Sequence, residues 1–234
     1  MKRSEINQYL RDAQERFQRH AFYLPPFAAW SPEQYRERAA DYPEIRACQL
    51  GWDLTDFGRG NYQKDGLLLF TLRNGLLDHP DYCKPYAEKI MLSQVNQKTP
   101  LHYHLHKTED IINRGGGCLV FEFFNCIPGT AKLDHSSPVE VPGDGTVHRL
   151  PAGGRLRIGP GESLTLKPGL FHSFWAEKEP VIIGEVSAIN DDHSDNIFFE
   201  EQRRFPLIEE DEAPLHLLVG DYDRFHAHPT VVEK

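Results

Sequence analysis

The chain has 234 residues, of which 39% are hydrophobic and 26% are charged, a composition typical of a folded, water-soluble protein. Its formal net charge is −9 and neither Lys nor Arg is clustered, which argues against nucleic-acid or anionic-membrane binding. The four cysteines show no CxxC spacing, and no apolar segment follows the basic start at residues 1–3. We therefore expect a cytoplasmic protein with no membrane partner.

Residues 1–60 are predicted to form a mostly helical N-terminal extension. An apolar stripe at helical spacing indicates an amphipathic helix over the first twenty residues, with Ser4 as the N-cap. The members of this stripe are Ile6, Leu10, Ala13 and Phe17. A second helix is predicted from Ser31 to about Ala40, because an N-cap serine is followed by Pro32 at N1 and Gln34 at N3. We expect the extension to cover an apolar surface of the main body or of a partner subunit.

Residues 61–190 are predicted to form a mainly β domain, followed by a C-terminal extension over 191–234. Short apolar segments alternate with Gly and Pro turns, a pattern typical of an antiparallel sandwich or barrel. The predicted strands span 67–72, 89–95, 118–124, 147–150, 155–158, 163–166, 173–176 and 181–186. The three glycines Gly115–Gly117 predict a tight turn before the strand at 118–124.

The strongest functional signal is the segment 102–106, which has histidine at alternate positions and a glutamate shortly after it. Alternate residues of a strand share one face, so His102 and His104 would point into the same space. Imidazole and carboxylate are ligands for divalent transition metals. The spacing favours Glu109 as the third ligand, returned by the turn after the strand. His106 is then not needed as a ligand, and it faces the substrate, supports the ligands or is exposed. The alternative interpretation of the segment is a cluster of exposed histidines.

A fourth ligand is expected from a later strand. The turn Pro168-Gly169 precedes His172, which would stand at the start of a strand. Three histidines and one glutamate leave open positions on a first-row divalent ion such as Mn²⁺, Co²⁺, Fe²⁺ or Zn²⁺. An open metal position is typical of catalysis or ligand binding rather than of a structural site.

Two motifs in this region resemble the cupin signatures. One is HxHx4Ex6G, which begins at His102, and the other is PGxxH, which ends at His172 and has Pro-Gly where Pro-x-Gly is usual. Several further segments resemble bacterial D-lyxose ketol-isomerases; they are 51–58, 71–75, 107–117, 184–187 and 190–192. The resemblance implies a cupin-type antiparallel β-barrel (jelly-roll) and a manganese-dependent homodimer. It also implies interconversion of D-lyxose with D-xylulose, and of D-mannose with D-fructose.

Aldose–ketose isomerisation moves a proton between two carbons and needs a base near the metal but not bound to it. Glu185 is the candidate base, because it is a charge among aliphatic residues, in a strand expected beside that of His172. Lys89 is the candidate to hold a sugar hydroxyl or the developing oxyanion. In the tail, Glu210 with Arg224 could close over the sugar, although acidic runs such as 209–212 are usually solvated. A metal-stabilised cis-enediol is the expected route, and a metal-assisted hydride shift is its rival.

Two other functions remain open for the same ligand set. A cupin Fe(II) dioxygenase would act on an apolar or aromatic substrate, and a non-catalytic cupin would only bind a sugar. The polar residues Lys89, Glu185 and His106 favour a free pentose or hexose over an apolar substrate. A phosphosugar isomerase would need a phosphate cradle, for which the sequence shows no convincing candidate.

Overall fold

The structure is a computed structural model that describes residues 1–192, 194–204 and 206–225. Ten strands form one curled sheet in which every named pair is antiparallel, and two more strands form a separate hairpin. The predicted cupin-type antiparallel fold is confirmed. Among the described residues, no helix is long and apolar enough to cross a membrane.

The secondary-structure elements are as follows in chain order. The helices are α1 (Arg3–Arg19), α2 (Pro32–Arg38), α3 (Pro43–Ala47) and α4 (Tyr222–Phe225). The strands are β1 (Gly51–Thr55), β2 (Leu67–Arg73), β3 (Tyr86–Ser93), β4 (Thr99–His104), β5 (Glu109–Cys126), β6 (Leu133–Asp134), β7 (Val139–Gly143), β8 (Thr146–Leu150), β9 (Gly154–Ile158), β10 (Ser163–Leu166), β11 (Leu170–Ala188) and β12 (Asn196–Phe198).

The predicted amphipathic helix is α1, and its four stripe residues are all buried. They pack on the outer face of the sheet against Leu68, Phe70 and Ile90, so the helix covers the main body as expected. The predicted N-cap is wrong, because the helix begins at Arg3 and the Ser4 hydroxyl donates to Asp211. The second helix is confirmed, with a reciprocal pair of hydrogen bonds between residues 31 and 34.

The N-terminal extension contains one strand of the main sheet. Residues Gly51–Thr55 form β1 and pair with Leu67–Thr71 of β2, so the sheet begins before residue 61. Gly51 has φ +119°, a conformation that favours glycine, and a Cβ there would lie 2.2 Å from the Tyr222 hydroxyl oxygen. The tail thus packs against the beginning of the sheet.

Two long strands, β5 and β11, organise the barrel and differ from the prediction. The glycines 115–117 lie inside β5 rather than in a turn, at a shift in its register with β11. Gly116 has φ +100°, and a Cβ there would lie 2.1 Å from the Pro180 carbonyl oxygen, so these glycines serve close strand packing. The predicted strands at 173–176 and 181–186 are both parts of β11. Consequently His172 and Glu185 lie on one strand rather than on neighbouring strands.

A buried charge network attaches the tail to α1. The Arg3 guanidinium is completely buried and donates two hydrogen bonds of 2.8 Å to Glu210 and two of 3.0 Å to Asp221. Burial opposes the charge, but the two carboxylates raise the pKa of Arg3 above its ordinary value. The guanidinium therefore stays charged, and its pairing depends on both carboxylates.

Removing this arginine is expected to destabilise the protein strongly. Arg3→Met leaves the buried Asp221 carboxylate without its main partner, which should lower the free energy of unfolding by about 3–5 kcal/mol. Urea denaturation measures the change. The matched control is Arg19→Met, because Arg19 forms an exposed pair with Glu15 on the same helix and should cost less than about 1 kcal/mol. Equal losses in the two variants would contradict a structural role for the buried network.

Candidate active site

Three histidines converge on the inner face of the sheet. His102 and His104 alternate on β4, and strand pairing sets His172 of β11 directly opposite His102. The three side chains are buried, and each offers a ring nitrogen that lies within 4.8 Å of the others. This cluster could hold a metal ion.

The carboxylate of Glu109 joins the same cluster. Glu109 is the first residue of β5, and its Oε1 atom lies 3.3 Å from His104 Nε2 and 3.5 Å from His172 Nε2. The four residues named as ligands from the sequence are therefore brought together. Strand alternation places His102 and His104, and the start of β5 returns the glutamate after a loop of four residues.

The hydrogen bonds of the imidazoles fit a metal site. The Nδ1 atoms of His102 and His172 lie 2.8 and 3.0 Å from the carbonyl oxygens of Pro100 and Leu170. A carbonyl only accepts, so each Nδ1 carries the proton and each Nε2 keeps a free lone pair. The Nε2 atoms of His104 and His172 are buried and have no hydrogen-bond partner among the residues that the structure describes. Buried polar atoms without partners are rare, and a divalent cation would supply the missing one.

Burial also keeps the cluster in its metal-binding protonation state. Burial lowers the pKa of His172 from 6.5 to about 4, and burial together with His172 and His104 lowers the pKa of His102 well below its ordinary value. Both imidazoles are therefore neutral at neutral pH. A neutral imidazole is the form that coordinates a metal.

The lowered pKa of His172 predicts how acid affects the metal-free protein. The unfolded chain binds a proton at this histidine below pH 6.5, whereas the folded chain does so only below about 4, so stability is lost as the pH falls through this window. The pKa difference at His172 should lower the free energy of unfolding by on the order of 3 kcal/mol once the pH lies below about 4. Urea denaturation of metal-free wild-type protein and of His172→Gln at several pH values should show a shallower pH dependence in the variant. Identical slopes would contradict the burial of a neutral imidazole.

A cavity of about 270 Å³ opens beside the cluster and has a charged wall formed by Lys89, Lys107, Glu109 and Glu185. All four of these side chains are buried. Strand pairing sets Glu185 of β11 opposite Lys89 of β3, with Lys89 Nζ 3.3 Å from Glu185 Oε1. Lys107 Nζ donates a bond of 3.0 Å to Glu185 Oε1 and lies 2.7 Å from Glu109 Oε2. The structure thus brings the predicted base and the predicted lysine together at the site.

Lys107 is the most important cavity residue that sequence reasoning missed. Burial disfavours its charge, but Glu109 and Glu185 raise its pKa above the ordinary value. Burial likewise opposes the charge of Glu109, but Lys107 together with His104 and His172 holds the pKa of this carboxyl well below its usual range. Lys107 therefore links the expected ligand Glu109 to the expected base Glu185. Its only sequence signal was its place in the segment 107–117 that resembles the isomerases.

A cluster of three charged residues at the cavity was also missed in the sequence analysis. Arg204 Nη2 lies 2.8 Å from Asp192 Oδ2 and 3.5 Å from Asp53 Oδ2, and all three residues line the cavity. Burial raises the pKa of Asp53 to about 6, although Arg204 opposes this shift. Burial acts in the same direction on Asp192, but Lys89 and Arg204 bring its pKa below the ordinary value. The two aspartates beside one arginine thus differ in acidity.

Three residues predicted to contact substrate are not brought to the cavity. His106 is exposed, and its backbone N–H donates to Asp195 Oδ1. Arg224 donates to Glu210, which in turn accepts from Arg3, so this pair belongs to the network that attaches the tail to α1. Glu210 and Arg224 therefore pair beside α1, on the helix side of the sheet.

A comparison of the sequence with protein-family models identifies the family of the chain. A model of the D-lyxose isomerase family matches residues 1–222. The chain belongs to the D-lyxose isomerase family. As a member of this family, it is an aldose–ketose isomerase.

Curated relatives of this isomerase agree over nearly the whole length. A D-lyxose/D-mannose isomerase of Escherichia coli O157:H7 is 46% identical over 228 residues, covering 96% of this chain and 100% of the relative. A D-lyxose/D-mannose isomerase of Serratia proteamaculans is 44% identical over 230 residues, covering 97% of this chain and 100% of the relative.

Solved structures support the fold of the isomerase. The L-ribose isomerase of Cellulomonas parahominis with L-ribose has a TM-score of 0.56 at 15% identity, covering 89% of this chain and 98% of that one. The L-ribose isomerase of Acinetobacter sp. DL28 in complex with L-ribose has a TM-score of 0.54 at 16% identity, with the same coverage. At these identities the likeness shows the fold alone.

Proposed function

We propose that this isomerase interconverts D-lyxose with D-xylulose and D-mannose with D-fructose in a metal-dependent reaction. The observation that carries the proposal is the cluster of three buried imidazoles and one carboxylate beside a polar cavity. His102, His104, Glu109 and His172 would hold one divalent ion, with Mn²⁺ as the first candidate. The names of the curated relatives support the choice of sugars.

The cavity wall suits a free sugar better than an apolar substrate. Lys89, Lys107, Glu185, Asp192 and Arg204 supply several hydrogen-bond donors and acceptors within one small volume. Every hydroxyl of a monosaccharide needs such partners when it leaves water. The opposite wall is apolar and could contact the carbon–hydrogen faces of the ring or chain; it includes Phe57, Leu67, Leu69, Met91, Phe174 and Phe198. This mixture favours the isomerase over the cupin dioxygenase.

In the proposed mechanism, Glu185 carries the proton between C1 and C2 of the open-chain sugar through a cis-enediol. A bound divalent ion would polarise the sugar carbonyl and offset the negative charge that develops on oxygen. Lys107 and Lys89 hold the Glu185 carboxylate in place from two sides. Lys89 is also available to hold a sugar hydroxyl, because its ammonium lies at the cavity wall. All three groups are buried, which strengthens the electrostatic contacts between them.

The direct test supplies the purified protein with Mn²⁺, Co²⁺, Fe²⁺ or Zn²⁺ in turn and incubates it with D-lyxose or D-mannose. We expect D-xylulose and D-fructose to form without consumption of oxygen. Oxygen uptake would favour the cupin dioxygenase, and sugar binding without turnover would favour a non-catalytic cupin. Absence of ketose with every metal would refute the proposal.

A further inference from the structure

Asn190 lies directly behind the charged cavity wall and contacts both of its lysines. Its Oδ1 atom accepts a hydrogen bond from Lys89 Nζ and another, of 3.4 Å, from Lys107 Nζ. These are the two ammonium groups that hold Glu185. The Asn190 amide oxygen therefore bonds both ammonium groups that contact the Glu185 carboxylate. Lys89 reaches it from β3, and Lys107 reaches it from the loop after β4.

These two contacts also fix the orientation of the Asn190 amide. An ammonium group only donates hydrogen bonds and an amide oxygen only accepts them, so the oxygen must face the two lysines. Turning the amide over would set its NH₂ group against both ammonium groups and break these contacts. The amide is thus held in one orientation by two positive charges.

Asn74 holds the main chain that carries this amide. Its Nδ2 atom donates to the Asn190 carbonyl oxygen at 3.0 Å, and its Oδ1 atom accepts from the Asn190 backbone N–H at 3.0 Å. A third bond, of 3.3 Å, runs from Asn74 Nδ2 to the Cys48 carbonyl oxygen. The Asn74 side chain is buried and is not part of the cavity wall. It therefore fixes the backbone at residue 190 much as a neighbouring strand would.

We infer that Asn74 and Asn190 are positioning residues of the isomerase, acting in series. Asn74 sets the backbone of residue 190, and the Asn190 amide oxygen then keeps Lys89 and Lys107 on Glu185. A lysine side chain has four flexible carbons and does not hold one geometry by itself. The inference rests on the proposed role of Glu185 as the base. It predicts that losing either asparagine slows turnover, whereas the metal ligands keep their places.

Turnover should reveal the effect of each substitution. We expect Asn190→Ala and Asn74→Ala each to lower kcat by about 10- to 100-fold, because small misplacements of catalytic groups have effects of this size. KM from the same turnover assay should change much less. The affinity for Mn²⁺, measured by calorimetry, should also change much less. The double variant should be no slower than the slower single variant, since both substitutions interrupt one chain of contacts. Asn190→Asp should recover part of the lost kcat, because a carboxylate oxygen can still accept from both lysines.

Asn113→Ala is the matched control for a purely structural effect. Asn113 is buried, as Asn74 is, and its side chain donates to the carbonyl oxygens of Gly117 and Ile158, away from the cavity. Its loss should lower the melting temperature without changing kcat. Unchanged kcat in Asn190→Ala, additive losses in the double variant, or an equal loss of kcat in Asn113→Ala would each overturn the inference. Glu185→Gln is measured in parallel: its full turnover would refute the role of Glu185, whereas an inactive Glu185→Gln beside a fully active Asn190→Ala would refute only the positioning role.

Discussion

Replacing His172 by alanine is expected to remove metal binding and isomerase activity together. This imidazole is buried, and its Nδ1–H is fixed on the Leu170 carbonyl oxygen. Within the described part of the chain its Nε2 atom has no hydrogen-bond partner, and it lies 3.5 Å from Glu109 Oε1. Loss of a group that only orients a metal ligand weakens metal affinity by about 10- to 100-fold, so loss of the ligand itself should have a larger effect.

The measurement combines metal analysis of the purified variant with ketose formation from D-lyxose. His135→Ala is the matched control, because His135 is exposed and packs beside Phe124 rather than at the cavity. We expect this control to keep both metal and activity. A His172→Ala variant that retained a full complement of Mn²⁺ would exclude His172 as a ligand.

Replacing Glu185 by glutamine is expected to abolish turnover while leaving metal and sugar in place. The amide has the shape of the carboxylate and can still accept from Lys107 and Lys89, but it cannot take a proton from carbon. Loss of a general base typically lowers kcat by about 100- to 10,000-fold. Ketose formation gives kcat, and calorimetry with D-lyxose gives the binding of sugar.

The control for this variant is Glu177→Gln on the same strand. Glu177 is half-buried on β11 and pairs with Arg157 away from the cavity, so its substitution should leave turnover unchanged. Turnover of Glu185→Gln close to that of the wild type would remove Glu185 from the mechanism. In that case the hydride shift would become the favoured route, because it moves the hydrogen between the carbons without a base that takes a proton from carbon.

The metal cluster was predictable because local geometry determines it. Alternation along one strand places His102 and His104 on one face, and the next strand begins at Glu109, so four residues of loop suffice to return the carboxylate. His172 could be paired with them because a turn signal stood just before it and because the motif spacing resembled a known family. The apolar stripe of α1 was equally readable, since burial at helical spacing is a local pattern.

The rest of the cavity depends on register between distant segments, which the sequence does not show directly. Asp53 reaches the site through the pairing of β1 with β2, of β2 with β3 and of β3 with β11, whereas Lys107 and Asn190 lie in the loops that follow β4 and β11. The glycines at 115–117 were misinterpreted because a bulge and a turn need the same backbone freedom. Glu210 was assigned to the sugar because its partner Arg3 lies 207 residues away in the chain, and Arg224, which was assigned with it, forms an ion pair with Glu210. The homodimer and the cytoplasmic location remain predictions.

The central claim is that one divalent ion, held by the histidine cluster and Glu109, is required for isomerisation. Its most direct test is a titration of metal-stripped protein with Mn²⁺, in which bound metal and the initial rate with D-lyxose are measured on the same samples. The account predicts no rate without metal, and a rate that rises in proportion to bound Mn²⁺ until each chain holds one ion. Full turnover by the metal-stripped protein would contradict it.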